Sequence, residues 1–275
     1  MALGWLGPAA KPAIPDLVNA LGDNFPFVAS SAAHVLSGLG PSTRDALPAI
    51  VTHLRVRDSF AAANVAELIV KIAGESPDTV SSLTPMLREP DEIKTRVLRL
   101  LPKLGRPAVA ASSQIEPLMD STNVSVRFAA IAALWDLVPA RQFELLPKLE
   151  EFATSPNQNI RVETGLKLVR MQPLTARAAE LLAAVAGTTG NEFRWQAFTR
   201  LRDRGREASN AVPILVAHLN AEEPRVAARA AEALGEIARP ADNVLDALEK
   251  AKKHEQLMIA DAATAAIRTI KSKAD

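Results

Sequence analysis

The sequence predicts an all-α solenoid: a right-handed superhelix of stacked antiparallel helix pairs, about 33 residues per repeat. Three observations predict it. First, apolar positions recur at a nearly constant interval: Leu3, Leu36, Leu68, Leu101, Leu134, Leu168, Leu201, Leu234 and Ile267, with successive differences of 33, 32, 33, 33, 34, 33, 33 and 33. Second, the stretch before each mark is Ala-rich with apolar residues at helical spacing, as in 126–134 (VRFAAIAAL), 226–234 (VAARAAEAL) and 259–267 (IADAATAAI). Third, another apolar-periodic segment lies between marks, as in 13–21 (AIPDLVNAL), 46–54 (ALPAIVTHL) and 211–219 (AVPILVAHL).

In chain order, Leu3, Trp5 and Leu6 belong to a first helix whose start is missing, and Gly7-Pro8 closes it. Segment 13–21 is its second helix. Residues 28–36 (VASSAAHVL) begin the pattern again, Gly40-Pro41 ends that helix, and 46–54 is its partner. Gly just past a helix can adopt the left-handed conformation, and a following Pro stops propagation. Gly105 and Gly205 mark similar ends. Proline near the start of the second helix lacks only an N–H that would be unpaired anyway. Pro15 and Pro48 fill that place 33 apart, and Pro117 and Pro147 are expected to do the same. Asp91, Asn123, Asn157 and Asn191 precede first helices and are expected N-caps, since their side chains accept from unpaired N–H groups. The last first helix carries a polar stripe, Asp261, Thr264, Arg268 and Lys271, suited to a capping role. Residues 1–275 thus read as one solenoid of seven full repeats with partial repeats at both ends, expected to be a segment of a longer protein.

The strings 39–54 and 126–134 resemble HEAT-like repeats of the phycobilisome-lyase type, and the resemblance covers essentially the whole chain. It implies the fold but not an activity, because such repeats serve as scaffolds, chromophore lyases, hydroxylases and DNA-repair proteins.

Composition narrows the classes. The chain has 275 residues, 48% apolar, 23% charged and 4% aromatic, with a formal net charge of +1 and no cysteine. That is too apolar and too weakly charged for a disordered chain. Without Cys there is no disulfide framework, thiolate metal site or thiol nucleophile. No apolar run reaches the roughly 18 residues of a membrane span. No signal peptide opens the chain, so no compartment is assigned and a soluble, cytoplasmic protein is the default expectation.

Candidate chemistry is sparse. His53 and His218 hold equivalent places near the ends of second helices five repeats apart, too far to share a metal. His254-Glu255 is the sole His-Glu pair, whereas the HEAT-like di-iron hydroxylases that the fold resembles use several, so no metal or other cofactor is expected. No G-x-S-x-G or Gly-rich phosphate loop occurs. Arg127, Arg161 and Arg194 recur at 34 and 33, with Lys94 one repeat earlier. In a stack they form a row that could follow a phosphate backbone, or bridge carbonyls and carboxylates between repeats. The even division of charge favours the structural role: residues 1–138 carry 12 basic and 13 acidic groups, residues 139–275 carry 20 and 18.

The expected function is a non-catalytic scaffold, not an enzyme, that binds a protein partner along the repeat surface. Asn19, Thr52, His53, Arg127, Arg161, Arg194 and His218 are the candidate contact residues, the second helices presenting Asn19, Thr52, His53 and His218 on one side. Nucleic-acid backbone binding, as in HEAT-like DNA glycosylases, is the alternative, followed by a tetrapyrrole lyase or chaperone.

Overall fold

The computed structural model describes residues 7–56, 58–188, 193–239 and 244–273. The expectations for Leu3, Trp5, Leu6 and Asn191 lie outside the described residues. Among the described residues every regular element is helical. The chain divides into two compact units, Met1–Leu145 and Leu146–Asp275, and each is a stack of helix pairs.

In the N-terminal unit, Ile14–Ala20 precedes the pairs Pro26–Leu39 with Leu47–Thr52, Ser59–Ala73 with Pro77–Leu83, and Asp91–Leu100 with Ser112–Ile115, followed by Val124–Leu137. The C-terminal unit pairs Gln158–Arg170 with Ala176–Gly187, Arg194–Arg204 with Val212–His218, and Pro224–Ile237 with Val244–Ala251, and ends in Leu257–Ser272. The periodic marks sit at the layer centres: Leu36, Leu68, Leu101, Leu134, Leu168, Leu201, Leu234 and Ile267 are all buried, none more than 7% exposed. Burying a leucine stabilises by about 1.5–3 kcal/mol, so each layer has an anchor of comparable strength. Within Val124–Leu137 the stretch from Phe128 to Trp135 is buried on all sides, Trp135 included.

Proline shapes the second helices. Pro15, Pro48 and Pro213 stand in the first turn, as expected. Pro117 instead opens the 3₁₀ turn Glu116–Asp120 after the short Ser112–Ile115 helix, and Pro147 lies inside Gln142–Glu150. A proline inside a helix removes one i→i−4 bond, and Thr84–Arg88, with Pro85, likewise turns 3₁₀ after Pro77–Leu83.

The caps agree in part with the sequence. Asn123 accepts from the Ser125 and Val126 amides, and Asn157 from those of Asn159 and Ile160. Asp91, however, is the first helical residue and Pro90 is the cap. Gly40 and Gly205 have positive φ (55° and 51°), but with ψ of −128° and −126°. The chain therefore leaves the helix sharply in a glycine-only region rather than through the left-handed helical one.

Layers are tied by cations reaching the exposed carbonyl ends of neighbouring helices, where unpaired C=O groups and the helix dipole favour positive charge. Arg44 Nε donates to Ile72 O at 3.1 Å. Arg96 Nη1 donates to Leu54 O and Val56 O at 2.7 and 2.6 Å. Arg200 Nη2 donates to Met171 O at 2.9 Å, and Lys273 Nζ to Gly235 O and Glu236 O, both at 3.1 Å. Two helices come close at Gly235, where an added Cβ would stand 2.9 Å from Ala266 Cα.

Candidate functional site

The cationic row is woven into the fold. Arg127 Nη1 donates to Ser121 O at 2.6 Å. Arg161 Nη1 donates to Ser155 O at 2.5 Å and Pro156 O at 2.9 Å. The two arginines end one local motif repeated 34 residues on, Ser-x-Asn-x-x-x-Arg: the serine hydroxyl accepts from the Asn N–H, the Asn side chain caps the helix, and the arginine closes back on the serine carbonyl. Arg194 reaches forward one layer, with Nη1 on Glu223 at 2.6 Å and Nη2 on the other carboxylate oxygen, and its guanidinium lies 4.3 Å from the Trp195 ring centroid. Lys94 Nζ meets Asp91 at 2.9 Å and thereby helps hold that exposed carboxyl below its ordinary pKa.

The two equivalent histidines perform a matching packing task. His218 Nε2 donates to Ala183 O at 2.9 Å, and its ring meets Phe198 edge-on with centroids 6.5 Å apart. It fills the space over Gly187, where a Cβ would fall 2.1 Å from its Cε1. His53 sits over Gly22 in the same way, with Cε1 at 3.1 Å from an added Cβ. Both glycines lie 31 residues before their histidine. Burial pushes the His53 pKa below 6.5, since the half-buried ring resists charge. Of the expected second-helix contacts, Asn19 and Thr52 are exposed, and the Thr52 hydroxyl donates to Ala49 O at 2.7 Å. Among the described residues no group of three or more His, Asp or Glu side chains is placed to hold a metal ion.

Exposed apolar surface lies elsewhere, much of it at the starts of first helices: Leu257 and Met258 in the C-terminal unit, and a set of phenylalanines in the N-terminal unit. Phe27 is 87% exposed and Phe60, 33 residues later, is 62% exposed, with Phe25 beside Phe27 at 72%. Asn64 Nδ2 donates to Ser30 Oγ at 2.7 Å. Ser30 is one turn beyond Phe27 and Asn64 one turn beyond Phe60, so this bond holds the two aromatic positions in register on adjacent helices. A helical wheel separates Phe27 from the buried stripe Ala29, Ala32, Ala33 and Leu36, and was the signal available.

Next to the Phe60 ridge runs an open groove of about 830 Å³ between Ser59–Ala73 and Asp91–Leu100. Ala62, Ala63 and Ala66 line one wall, with Glu67 at its rim, and Arg96, Arg99 and Lys103 line the other. Two further grooves separate consecutive second helices, one including Arg44, Val51 and Thr79, the other Thr84, Gln114 and Pro117.

No protein-family profile matches the sequence, and no curated protein matches it. Solved structures do resemble the fold. The Escherichia coli protein YibA shares 17% identity over 94% of this chain and 92% of its own, with a TM-score of 0.58. Human deoxyhypusine hydroxylase, in complex with glycerol, shares 20% over 95% and 97%, with a TM-score of 0.41. The CpcE–CpcF complex of phycocyanin lyase from a Nostoc species shares 21% over 78% and 85%, with a TM-score of 0.46. The chain thus shares its all-helical repeat fold with YibA. The expectation that it is not an enzyme is corrected by this comparison, because a hydroxylase stands among the structures that resemble it. In a repeat stack, side chains from several layers can converge without leaving a linear motif, so missing sequence motifs do not set this chain apart from enzymes. Among the described residues, no helix is long and apolar enough to cross a membrane.

Proposed function

We propose that the chain binds a partner protein along its repeat surface, and that the first-helix face of the N-terminal unit carrying Phe27 and Phe60 is the principal contact. The observation that carries this reading is the pair itself: two phenylalanines, 87% and 62% exposed, at matching places on adjacent helices whose register is held by Asn64 and Ser30. Exposed aromatic side chains at rigid positions supply large apolar area at small entropic cost, and interfaces concentrate their energy in such anchors. Placement on helices rather than loops supports the same reading, since both anchors are ordered before binding. Asn19 and Thr52 belong to the opposite set of helices and form a secondary surface in this proposal. Arg194 contributes by tying two layers through Glu223, and Arg127 and Arg161 by fixing the entries to their helices through Ser121 and Ser155.

The test is co-purification from the source cells with the intact chain and with Phe27→Ser/Phe60→Ser. A specific partner retained by the intact chain and by Thr52→Ala, but lost from the double phenylalanine variant, is the expected result. A partner lost with Thr52→Ala and retained by the double variant would reverse the assignment of the face.

A further inference from the structure

The groove beside Phe60 carries charges that the fold leaves uncommitted. Its two walls follow helical spacing: Ala62 and Ala66 on one helix, Thr95, Arg99 and Lys103 along the other. Its opening end is acidic but satisfied, because Asp91 is bound by Lys94 and Asn123, and Glu92 by Arg96. Its far end is different. Arg99 and Lys103 are exposed, four residues apart, and neither has an ion-pair or hydrogen-bond partner among the described residues. What sets these two apart from other free cations is their place: they stand together at one end of an alanine-lined groove whose rim also carries the exposed Glu67. From Ser59 to Val70 the groove runs about 17 Å, or three helical turns, with the Phe60 ridge at one end and the cations at the other.

We infer that this groove takes an acidic segment of the partner protein, its carboxylates on Arg99 and Lys103 and its apolar side chains on the alanine floor beside Phe60. This rests on the reading of the first-helix face as the partner surface. Small side chains on the floor let a backbone or a helix come close, while paired cations fix its direction, because only one orientation puts carboxylates at the Lys103 end. Arginine favours two-point contact with a carboxylate, and Lys103 one turn on adds a point charge.

Phage-displayed random peptides selected on the full chain provide the probe. The expected result is enrichment of peptides with Asp or Glu clustered at one end and aliphatic or aromatic residues toward the other. Arg99→Glu/Lys103→Glu should weaken them by about tenfold or more, with unchanged circular dichroism and melting, while Arg99→Lys/Lys103→Arg keeps binding within about threefold. Peptides without acidic bias, or acidic peptides indifferent to the charge reversal but lost with Phe60→Ser, overturn the groove assignment and leave the aromatic face standing. Selected peptides indifferent to both sets of substitutions count against the groove and the face alike. Duplex DNA bound at low salt and released by the charge reversal would give these cations to phosphate and also overturn the inference.

Discussion

Gly187→Ala should destabilise the C-terminal unit, although alanine is the better helix former. The added methyl would lie 2.1 Å from His218 Cε1, 2.4 Å from Nε2 and 2.8 Å from Nδ1. No small adjustment accommodates that overlap, so the imidazole must leave its place. It then loses the bond to Ala183 O, worth about 1 kcal/mol, and the edge contact with Phe198, worth about 0.5–1.5 kcal/mol. Repacking the displaced ring costs about 1–3 kcal/mol. Against this, replacing a helical glycine returns about 1 kcal/mol. The net expectation is a loss of about 3 kcal/mol. Urea unfolding followed by circular dichroism measures it, and thermal melting should show a fall of about 10 °C. His218→Ala in the same chain removes the overlap, so the double variant should be more stable than the sum of the single changes by about 1–2 kcal/mol. If Gly187→Ala raises the midpoint, as at an open helical glycine, the inter-repeat plug formed by His218 is wrong.

Three further outcomes follow from the same geometry. Arg161→Met removes two donors from Ser155 O and Pro156 O and should cost about 2 kcal/mol in urea unfolding, where a freely solvated surface arginine would change stability by less than about 0.5 kcal/mol. Because burial holds His53 below 6.5, the unfolded chain takes up its proton first. Stability should therefore be greatest above pH 6.5, decline as pH falls through the ordinary histidine range, and level off below the lowered folded value. His53→Gln should remove that part of the slope, and an unchanged pH profile would mean that burial of the ring has no energetic consequence. Gly235→Ala should also destabilise, because the obstacle is the Ala266 backbone rather than a movable side chain; a melting temperature equal to that of the intact chain would place the two helices farther apart than described.

Much of the architecture was readable because it rests on residues that repeat. The leucine marks are buried since each layer must bury one apolar stripe, and that requirement recurs with the repeat length. Asn123 and Asn157 cap because a side-chain acceptor next to free N–H groups acts locally. Pro117 and Pro147 were misplaced for the opposite reason: a proline signals a missing donor, but whether it starts a helix, breaks one or is tolerated inside depends on packing around it. The arginine row shows how periodicity alone leaves a role open. Its spacing is the same whether the guanidiniums face solvent or carbonyls, and only the Ser-x-Asn-x-x-x-Arg closure distinguishes the two. The histidines were legible as equivalent positions, but their glycine counterparts one repeat earlier were not, because small residues carry no chemical signal until a neighbour fills the space above them. The exposed phenylalanines were hidden inside apolar runs, although Phe27 lies across its helix from the buried stripe. Whether the chain has a catalytic activity was the least legible question, since side chains from several layers of a repeat stack can meet without a linear motif to search for.

The most direct measurement of the partner surface is site-specific photo-crosslinking in the source cells, with a benzoylphenylalanine placed at position 27, 60, 52 or 127 in turn. Discrete adducts to the same protein from positions 27 and 60, with none from 52 or 127, are expected if the aromatic first-helix face is the contact. Adducts from 52 or 127 with none from 27 and 60 would contradict it.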